Sequence, residues 1–498
     1  MGKIILISHI YLSYKENLVI LFCISGLGLV YLLNALIDID KTFLIILISI
    51  IMLCLIGYLI IKQGVSFVKI FLNLRNALLM YWYLGYFVAP VYLVLFDTKD
   101  PNTILNSMFV ATIGILSFII ASAFSYFVSS QTSSFFNKKI LFVTAFQIVI
   151  ISLIVKFYFL KLGIYSSLFI GGAESLPISI GIYNALMPLV YISNYFALPI
   201  FSWLYFSSSQ KTSVLKHTFK FLLIIEVFFA LLSFQRGIVI FTLLLPIFVG
   251  AIMKKIRIKF RHIFFFILFL LVFFQLNNIL RSGMLALSGY KYDIQPTLQE
   301  MFIMTKFVFK DTQDSNLFIG SDEIIKPFIK RFYDNTYTNL ISIIDNTRAF
   351  KLGSTYSLLF YNFIPRIFWP DKPIVQISYD FGVEYGIGSV FEKVAFTVSR
   401  IGEAYINFGI VGVILILFVW GIFATWLQKI FYYRYPWLFV YIFFNFVFIA
   451  ETFFTNVFAV CFKQIVYFTL IYLLNFSLFE LVKQFHSIPT SAPKSCKL

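Results

Sequence analysis

Apolar runs of about twenty residues recur along almost the whole chain, and this pattern limits the fold more than any other feature. Apolar residues make up 60% of the 498 positions and charged residues only 12%, a composition that soluble domains of this length do not have. Inside a bilayer each backbone N–H and C=O must be paired within its own segment, so such runs form transmembrane helices. We therefore predict an all-α polytopic membrane protein.

The runs predict about 12 transmembrane helices, with one large extracytoplasmic loop between spans 9 and 10. The predicted spans are 18–37, 42–61, 77–96, 103–128, 140–160, 182–206, 219–234, 237–253, 263–280, 404–427, 436–454 and 457–481. The predicted organisation is therefore transmembrane helices 1–9 in residues 1–280, a cap loop in 281–403, helices 10–12 in 404–481 and a cytoplasmic tail in 482–498.

Lys and Arg residues set the predicted orientation, because cytoplasmic loops carry an excess of them. With both termini in the cytoplasm, the short outer loops hold only Lys41, Lys99, Lys161 and Arg236. The 281–403 region is neutral, with 13 basic and 13 acidic residues. The net charge of +17 therefore belongs to the cytoplasmic rim and indicates membrane insertion rather than nucleic-acid binding.

The hydrophilic region 281–403 is predicted to form a small folded cap. Helical periodicity covers 297–310 and 322–344, and residues 353–357 read as a turn. Three prolines follow in the segment 362–373, where missing backbone donors exclude a membrane span. No cysteine lies in this region, so no disulfide is expected to hold it.

Four motifs resemble the oligosaccharide repeat-unit polymerases, the O-antigen polymerase family, which is related to the O-antigen ligases and the C-type glycosyltransferases. The motifs are Ser233-Phe-Gln-Arg-Gly237, Gly353-Ser-Thr-Tyr356, Ile364-Pro-Arg-Ile-Phe-Trp-Pro-Asp-Lys-Pro373 and Arg400-Ile-Gly-Glu-Ala-Tyr-Ile-Asn-Phe-Gly409. The resemblance covers mainly the last 270 residues or so.

The resemblance implies polymerisation of undecaprenyl-pyrophosphate-linked repeat units, as both donor and acceptor, into O-antigen or capsular polysaccharide. The reaction would take place at the outer face of the bacterial inner membrane. We expect an inverting, metal-independent glycosyltransferase with no soluble cofactor. Membrane lipid and a possible chain-length regulator are its expected partners.

The chemistry of such a transfer indicates which residues carry it. A pyrophosphate leaving group needs neutralisation, for which the bidentate fork of Arg is suited, and the acceptor hydroxyl needs a general base. We expect Arg236 and Arg281 to hold the donor pyrophosphate, and Arg366 and Arg400 to position substrate from the cap. Glu403, three residues after Arg400 on one helical face, is the expected base.

The expected substrate-binding set also includes Lys372, Trp369 and Tyr405. Structural alternatives stay open for several of these residues. Trp369 could pack within the cap, and Arg400 with Glu403 could form only a structural ion pair at a helix start.

Away from the last two residues at each span end, four charged residues lie within predicted spans, namely Lys156, Glu226, Glu451 and Lys463. Such residues are costly in lipid and face the protein interior. The topology places Lys156, Glu451 and Lys463 near the outer leaflet, with a Glu451–Lys463 pair as the structural alternative. No role is assigned to the deeper Glu226.

Three rival interpretations remain. Asp38 and Asp40 form an acidic pair in the first outer loop, where metal-dependent C-type glycosyltransferases carry one. An O-antigen ligase would be expected to have a His in the large loop, whereas His9, His217, His262 and His486 are all predicted to be cytoplasmic. A flippase or other transporter of lipid-linked oligosaccharide would be expected to show internal repeats and short outer loops, and this sequence shows neither.

Overall fold

The computed structural model describes residues 14–36, 40–61, 72–96, 99–124, 136–162, 164–165, 178–208, 213–233, 235–256, 268–269, 273, 337–347, 349–364, 369, 377–386, 398–432, 434–451 and 454–487. All regular structure in these ranges is helical. The α-helices are α1 (Tyr14–Leu36), α2 (Lys41–Ile61), α3 (Leu74–Tyr83), α4 (Ala89–Phe96), α5 (Pro101–Phe124), α6 (Lys138–Lys161), α7 (Ile180–Ile192), α8 (Leu198–Ser207), α9 (Ser213–Leu232), α10 (Arg236–Ile252), α11 (Asn339–Asn346), α12 (Ser354–Phe363), α13 (Ile377–Glu384), α14 (Arg400–Phe431), α15 (Pro436–Glu451) and α16 (Phe454–Ser487).

Seven helical segments in the described ranges are long and apolar enough to cross a bilayer. They are Lys41–Ile61, Leu74–Phe96, Pro101–Ser122, Lys138–Lys161, Ala185–Ser207, Arg400–Phe431 and Val457–Gln484. Shorter apolar segments occupy Phe22–Leu32, Gly237–Ile252 and Pro436–Val447. The all-helical membrane class is therefore supported, while the number of twelve spans and the large loop stay predictions. Most of the predicted ninth span lies outside the described residues.

In the described ranges, two π-helical turns each join two α-helices into one longer helix. Leu84–Val88 joins α3 to α4, and Ser193–Ala197 joins α7 to α8. A π-turn inserts one extra residue into a helix and is frequent at functional positions. Here the second turn directs the side chains of Ser193 and Asn194 into the protein interior, where they are 0% and 3% exposed.

The apolar core falls into two main clusters. One involves α1–α5, α10, α11, α14 and α15, and the other involves α6–α10 with α15 and α16. Small and hydroxyl side chains bring α5 and α14 close together. The Ser117 hydroxyl donates to the carbonyl of Ile414 (2.7 Å), and a methyl group on Gly421 would lie 2.5 Å from the Phe118 carbonyl oxygen. Close approach of this kind is how helices associate in lipid.

α14 begins at Arg400, four residues earlier than the predicted start at 404. The Ser399 hydroxyl accepts a hydrogen bond from the Gly402 N–H (3.2 Å) and caps the helix. A straight helix of 32 residues would be about 48 Å long, well beyond the apolar thickness of a bilayer. The helix is not straight, because Gly409 has φ 62° and ψ −152°.

Contacts across this break show that residues 400–408 fold back on the rest of α14. A methyl group on Gly412 would lie 2.6 Å from the Ala404 carbonyl oxygen. A methyl group on Gly114 of α5 would lie 3.8 Å from Ile401 Cγ1 and 3.5 Å from Leu417 Cγ. We call residues 400–431 the α14 hairpin. Only its second arm, 410–431, has the length of a membrane span.

The described part of the predicted cap consists of three short helices. α11 falls at the end of the predicted 322–344 helix, whose residues 322–336, like the predicted helix 297–310, lie outside the described residues. The predicted turn at 353–357 was wrong in extent. Leu352 (φ 47°) and Gly353 (φ 89°) form the turn, and α12 starts directly after it. α11 packs against α5 and the α14 hairpin.

Candidate functional site

The first turn of the α14 hairpin carries a buried ion pair. Arg400 Nη1 lies 2.9 Å from Glu403 Oε2, and the two side chains are 2% and 0% exposed. The spacing of three residues on one helical face is the predicted one. The guanidinium group also lies 4.9 Å from the centre of the Trp420 ring on the second arm. A guanidinium stacked on an indole in a dry setting gains a cation–π attraction.

This pair lies deeper than the sequence indicated. Because the first arm folds back, Arg400 is level with Trp420, eleven residues beyond the reversal at Gly409. Its neighbour Ile401 contacts Gly114, near the middle of α5. The pair was expected at the entrance of a span, and the structure places its neighbour Ile401 beside the middle of α5. Irregular backbone at such depth is tolerated where it is buried in protein.

The motif around residue 353 contacts the same pair. The Thr355 hydroxyl donates to Glu403 Oε1 (3.3 Å), so both oxygens of this carboxylate accept a bond. Asn407 Nδ2 donates to Thr355 Oγ1 (2.7 Å) and to the Glu403 carbonyl (2.8 Å). Asn407 Oδ1 accepts from the N–H of Gly353 (3.0 Å). Two motifs that lie about fifty residues apart in sequence therefore meet in one hydrogen-bond network.

The backbone before α12 covers the end of the first arm. The break at Gly409 leaves the last carbonyl groups of that arm without helical donors. The N–H of Lys351 donates to the Ile406 carbonyl (2.9 Å), and the N–H of Leu352 to the Asn407 carbonyl (3.0 Å). The positive φ of Leu352 is a strained conformation for this residue, and strain of this kind clusters at functional sites.

Tyr356 is the neighbour that connects the pair to the surface. Its phenolic oxygen is buried beside Arg400, whereas its ring is half-buried and stacks on Phe408 at 6.5 Å. Burial first, and the charge of Glu403 second, raise the pKa of Tyr356, while Arg400 opposes this shift. The phenol therefore stays protonated and can act as a hydrogen-bond donor.

Of the other predicted site residues, only Tyr405 and Trp369 have described side chains. Tyr405 is half-buried, two residues after Glu403, with its ring 6.1 Å from Phe350. Trp369 packs edge-on against Tyr361 at 5.5 Å, as the structural alternative requires. Arg236 begins α10, but its side chain is not described. Arg281, Arg366 and Lys372 lie outside the described residues.

One intramembrane charge has a partner that the sequence did not indicate. Lys156 Nζ lies 2.5 Å from Glu226 Oε2, and both side chains are 0% exposed. Lys156 also donates to Ser193 Oγ (3.1 Å) and Asn194 Oδ1 (3.3 Å) in the π-turn. Glu226, to which no role was assigned, is therefore the partner of Lys156. The Glu451 side chain lies outside the described residues, so a Glu451–Lys463 pair stays a prediction.

The rival metal site is represented only by Asp40, because Asp38 lies outside the described residues. Asp40 Oδ1 accepts from the Thr42 N–H (3.0 Å) at the start of α2. Among the described residues, no three His, Cys, Asp or Glu side chains are grouped so that they could hold a metal ion.

Sequence reasoning missed Thr355 and Asn407, although both lie inside motifs that it singled out. The signal was available for Asn407, which follows Glu403 by four residues and so lies on the same helical face. No sequence signal indicated that Thr355 would contact this face.

No protein-family model, curated protein or solved structure matches the chain.

Proposed function

We propose that this protein is a membrane glycosyltransferase that polymerises oligosaccharide repeat units carried on undecaprenyl pyrophosphate. The supporting observation is the contact between the Arg400–Glu403 pair and the Gly353–Tyr356 segment. A buried carboxylate beside a guanidinium, deep in a helical membrane protein, is costly and is by default a functional-site candidate.

In this proposal Glu403 is the general base. The acceptor hydroxyl attacks the anomeric carbon of the donor and forms the new glycosidic bond. The bond from that carbon to the pyrophosphate breaks, undecaprenyl pyrophosphate leaves with the electron pair, and the acceptor proton passes to Glu403. Arg400 stabilises the ionised carboxylate, and with Arg366 it positions the substrate. Arg236 and Arg281 hold the pyrophosphate through bidentate contacts.

The expected location is the bacterial inner membrane, with both termini in the cytoplasm and the 281–403 region outside. In that orientation α5 and the second arm of the α14 hairpin both run inward. The reversal at Gly409 then lies toward the outer face, where a lipid-linked donor would present its head group. Access to Glu403 would be from this end, past α12.

The test is reconstitution of the purified protein into lipid vesicles with lipid-linked repeat units extracted from cells that lack this protein. The expected product is a ladder of longer chains that remain linked to undecaprenyl pyrophosphate. Transfer of the units to a lipid A core would identify a ligase instead. Movement of unchanged units across the bilayer, with no new glycosidic bond, would identify a flippase and overturn the proposal.

A further inference from the structure

The Glu403 carboxylate accepts a hydrogen bond from a chain that passes through Thr355, a residue of a different motif. Asn407 Nδ2 donates to Thr355 Oγ1 at 2.7 Å, so a lone pair of the Thr355 oxygen is occupied. The hydroxyl hydrogen of Thr355 is then directed to Glu403 Oε1 at 3.3 Å. Both Thr355 and Asn407 are buried, at 4% and 0% exposure, so water competes little for these bonds.

The position of Asn407 is itself fixed on three sides. Its amide nitrogen also donates to the Glu403 carbonyl (2.8 Å), and its amide oxygen accepts from the N–H of Gly353 (3.0 Å). Exchanging the nitrogen and the oxygen of the amide would break all three of these bonds. The neighbours of Asn407 therefore determine the orientation of its side chain. The amide therefore links the backbone of Gly353, the Thr355 hydroxyl and the helical arm that carries Glu403.

From this geometry we infer that Thr355 and Asn407 are positioning residues, which aim the Glu403 carboxylate for proton transfer. The inference rests on the proposed function for its catalytic consequence, but not for its effect on Glu403. A hydrogen bond donated to the charged form of a carboxylate favours that form. Removing the Thr355 donor should therefore let Glu403 bind a proton at higher pH.

Other groups around Glu403 do not change in this comparison. The charged and titratable neighbours that the described structure places there are Arg400 on α14 and Tyr356 on α12. None of the variants below substitutes Arg400 or Tyr356, and the Tyr356 phenol is expected to stay protonated. A change in the titration of Glu403 then reports the Thr355 bond.

The experiment measures the protonated carboxyl band by infrared spectroscopy across a pH series, with the Glu403→Gln variant identifying the band of Glu403. Thr355→Val keeps the shape of the side chain and removes the donor, whereas Thr355→Ser keeps the donor. We expect the titration midpoint to rise by about one to two pH units in Thr355→Val, because the charged carboxylate loses one donated hydrogen bond. Thr355→Ser should titrate like the unmodified protein.

Asn407→Leu is the second variant, and it should raise the midpoint in the same direction by releasing the Thr355 hydroxyl. The matched control is Ser357→Ala, which removes an exposed hydroxyl from the same helix, where it donates only to the Ser354 carbonyl. An unchanged midpoint in both Thr355→Val and Asn407→Leu, in protein that remains folded, would overturn the inference.

Chain-length assays on the same variants separate this inference from the proposed function. If both hold, the acidic limb of the polymerisation pH profile should move with the infrared midpoint in Thr355→Val and return in Thr355→Ser. If the midpoint moves while the unmodified protein makes no polymer, the positioning role stands and the polymerase proposal fails.

Discussion

Two buried ion pairs in the described part of the protein are built in opposite ways. Lys156 and Glu226 lie 70 positions apart and join α6 to α9. All three hydrogens of the Lys156 ammonium are used, on Glu226, Ser193 and Asn194. Arg400 and Glu403 lie three positions apart in one helix, beside strained backbone and the half-exposed Tyr356.

The difference indicates different tasks. The network of Lys156 extends through Asn194 to Thr242 on α10, and it ties four helical segments together inside one apolar cluster. A fully satisfied network of this kind fixes how helices pack and offers no group to a ligand. The network of Arg400 instead joins a folded-back arm to a cap segment.

The largest expected effect is the loss of one partner from the first pair. Lys156→Met leaves the Glu226 carboxylate buried and uncompensated, which costs about 3–5 kcal/mol. We expect the detergent-solubilised variant to lose its monodisperse chromatographic peak at a much lower temperature than the unmodified protein. The double variant Lys156→Met with Glu226→Leu should recover most of this loss, because no lone charge remains.

The matched control is Lys161→Met, which removes an exposed Lys from the end of the same helix. Its unfolding temperature should change little. If Lys156→Met were as stable as Lys161→Met, the pair would not be a structural tie and the contrast with Arg400–Glu403 would disappear.

The second pair should respond in activity rather than in stability. Glu403→Gln keeps the shape and the acceptor oxygen for Arg400, but it cannot take a proton. We expect polymerisation to fall by about 10²–10⁴-fold while the protein still inserts and folds. The measurement is ladder length in cells that lack the native protein, with expression level matched.

Glu384→Gln is the control for Glu403→Gln, because Glu384 is exposed and pairs with Lys351 at 2.5 Å. It should give a normal ladder. A normal ladder from Glu403→Gln as well would assign the Arg400–Glu403 pair a structural task like that of Lys156–Glu226.

Much of the helical architecture follows from the apolar runs. Predicted intervals such as 42–61 and 140–160 coincide with α2 and α6 almost residue for residue, because lipid leaves a helix as the only way to pair the backbone. The start of α14 was displaced because a local cap at Ser399 extends the helix into a polar sequence. The reversal at Gly409 was not predicted, since an isolated Gly in an apolar run is ordinary in transmembrane helices.

The site was predictable only where its partners are close in sequence. The spacing of Arg400 and Glu403 sufficed to place them on one face, and the structure brings them together. The Thr355 contact and the Lys156–Glu226 pair depend on how distant helices pack, which periodicity does not specify. Lys156 was instead grouped with Glu451 and Lys463 by estimated depth, an argument that ignores the rotation of each helix.

A smaller effect is expected from Gly409→Ala, which tests whether the reversal holds the Arg400–Glu403 pair against Thr355. The φ of 62° with ψ −152° is a region that essentially only Gly adopts, at a cost of about 1–3 kcal/mol for other residues. The new methyl group would also lie 2.7 Å from Phe350 Cζ. We expect lower thermal stability and a shorter ladder, because the arm that carries Glu403 would shift against Thr355.

Two variants sharpen the Gly409 test. Gly57→Ala lies inside α2 with nothing within 4 Å of the added methyl group, so it should be neutral or slightly stabilising. Phe350→Ala in the Gly409→Ala background removes the ring contact but leaves the backbone strain. If this double variant regained full stability and ladder length, the loss in Gly409→Ala would come from the clash with the Phe350 ring and not from the backbone conformation.

The smallest effect is expected at the acidic pair before α2, which competes with the Arg400–Glu403 region as a candidate active site. Asp40 already has a structural task, because its carboxylate accepts from the Thr42 N–H, and Asn can make the same bond. The combined variant Asp38→Asn with Asp40→Asn should therefore leave polymerisation close to that of the unmodified protein. Activity in vesicles should also survive EDTA, since Arg side chains rather than carboxylate-held cations are proposed to neutralise the pyrophosphate. Loss of polymer in EDTA, restored by a divalent cation and reproduced by the double variant, would move the chemistry to Asp38 and Asp40. The Arg400–Glu403 pair would then be the second structural tie, and the two buried pairs would differ only in their position in the fold.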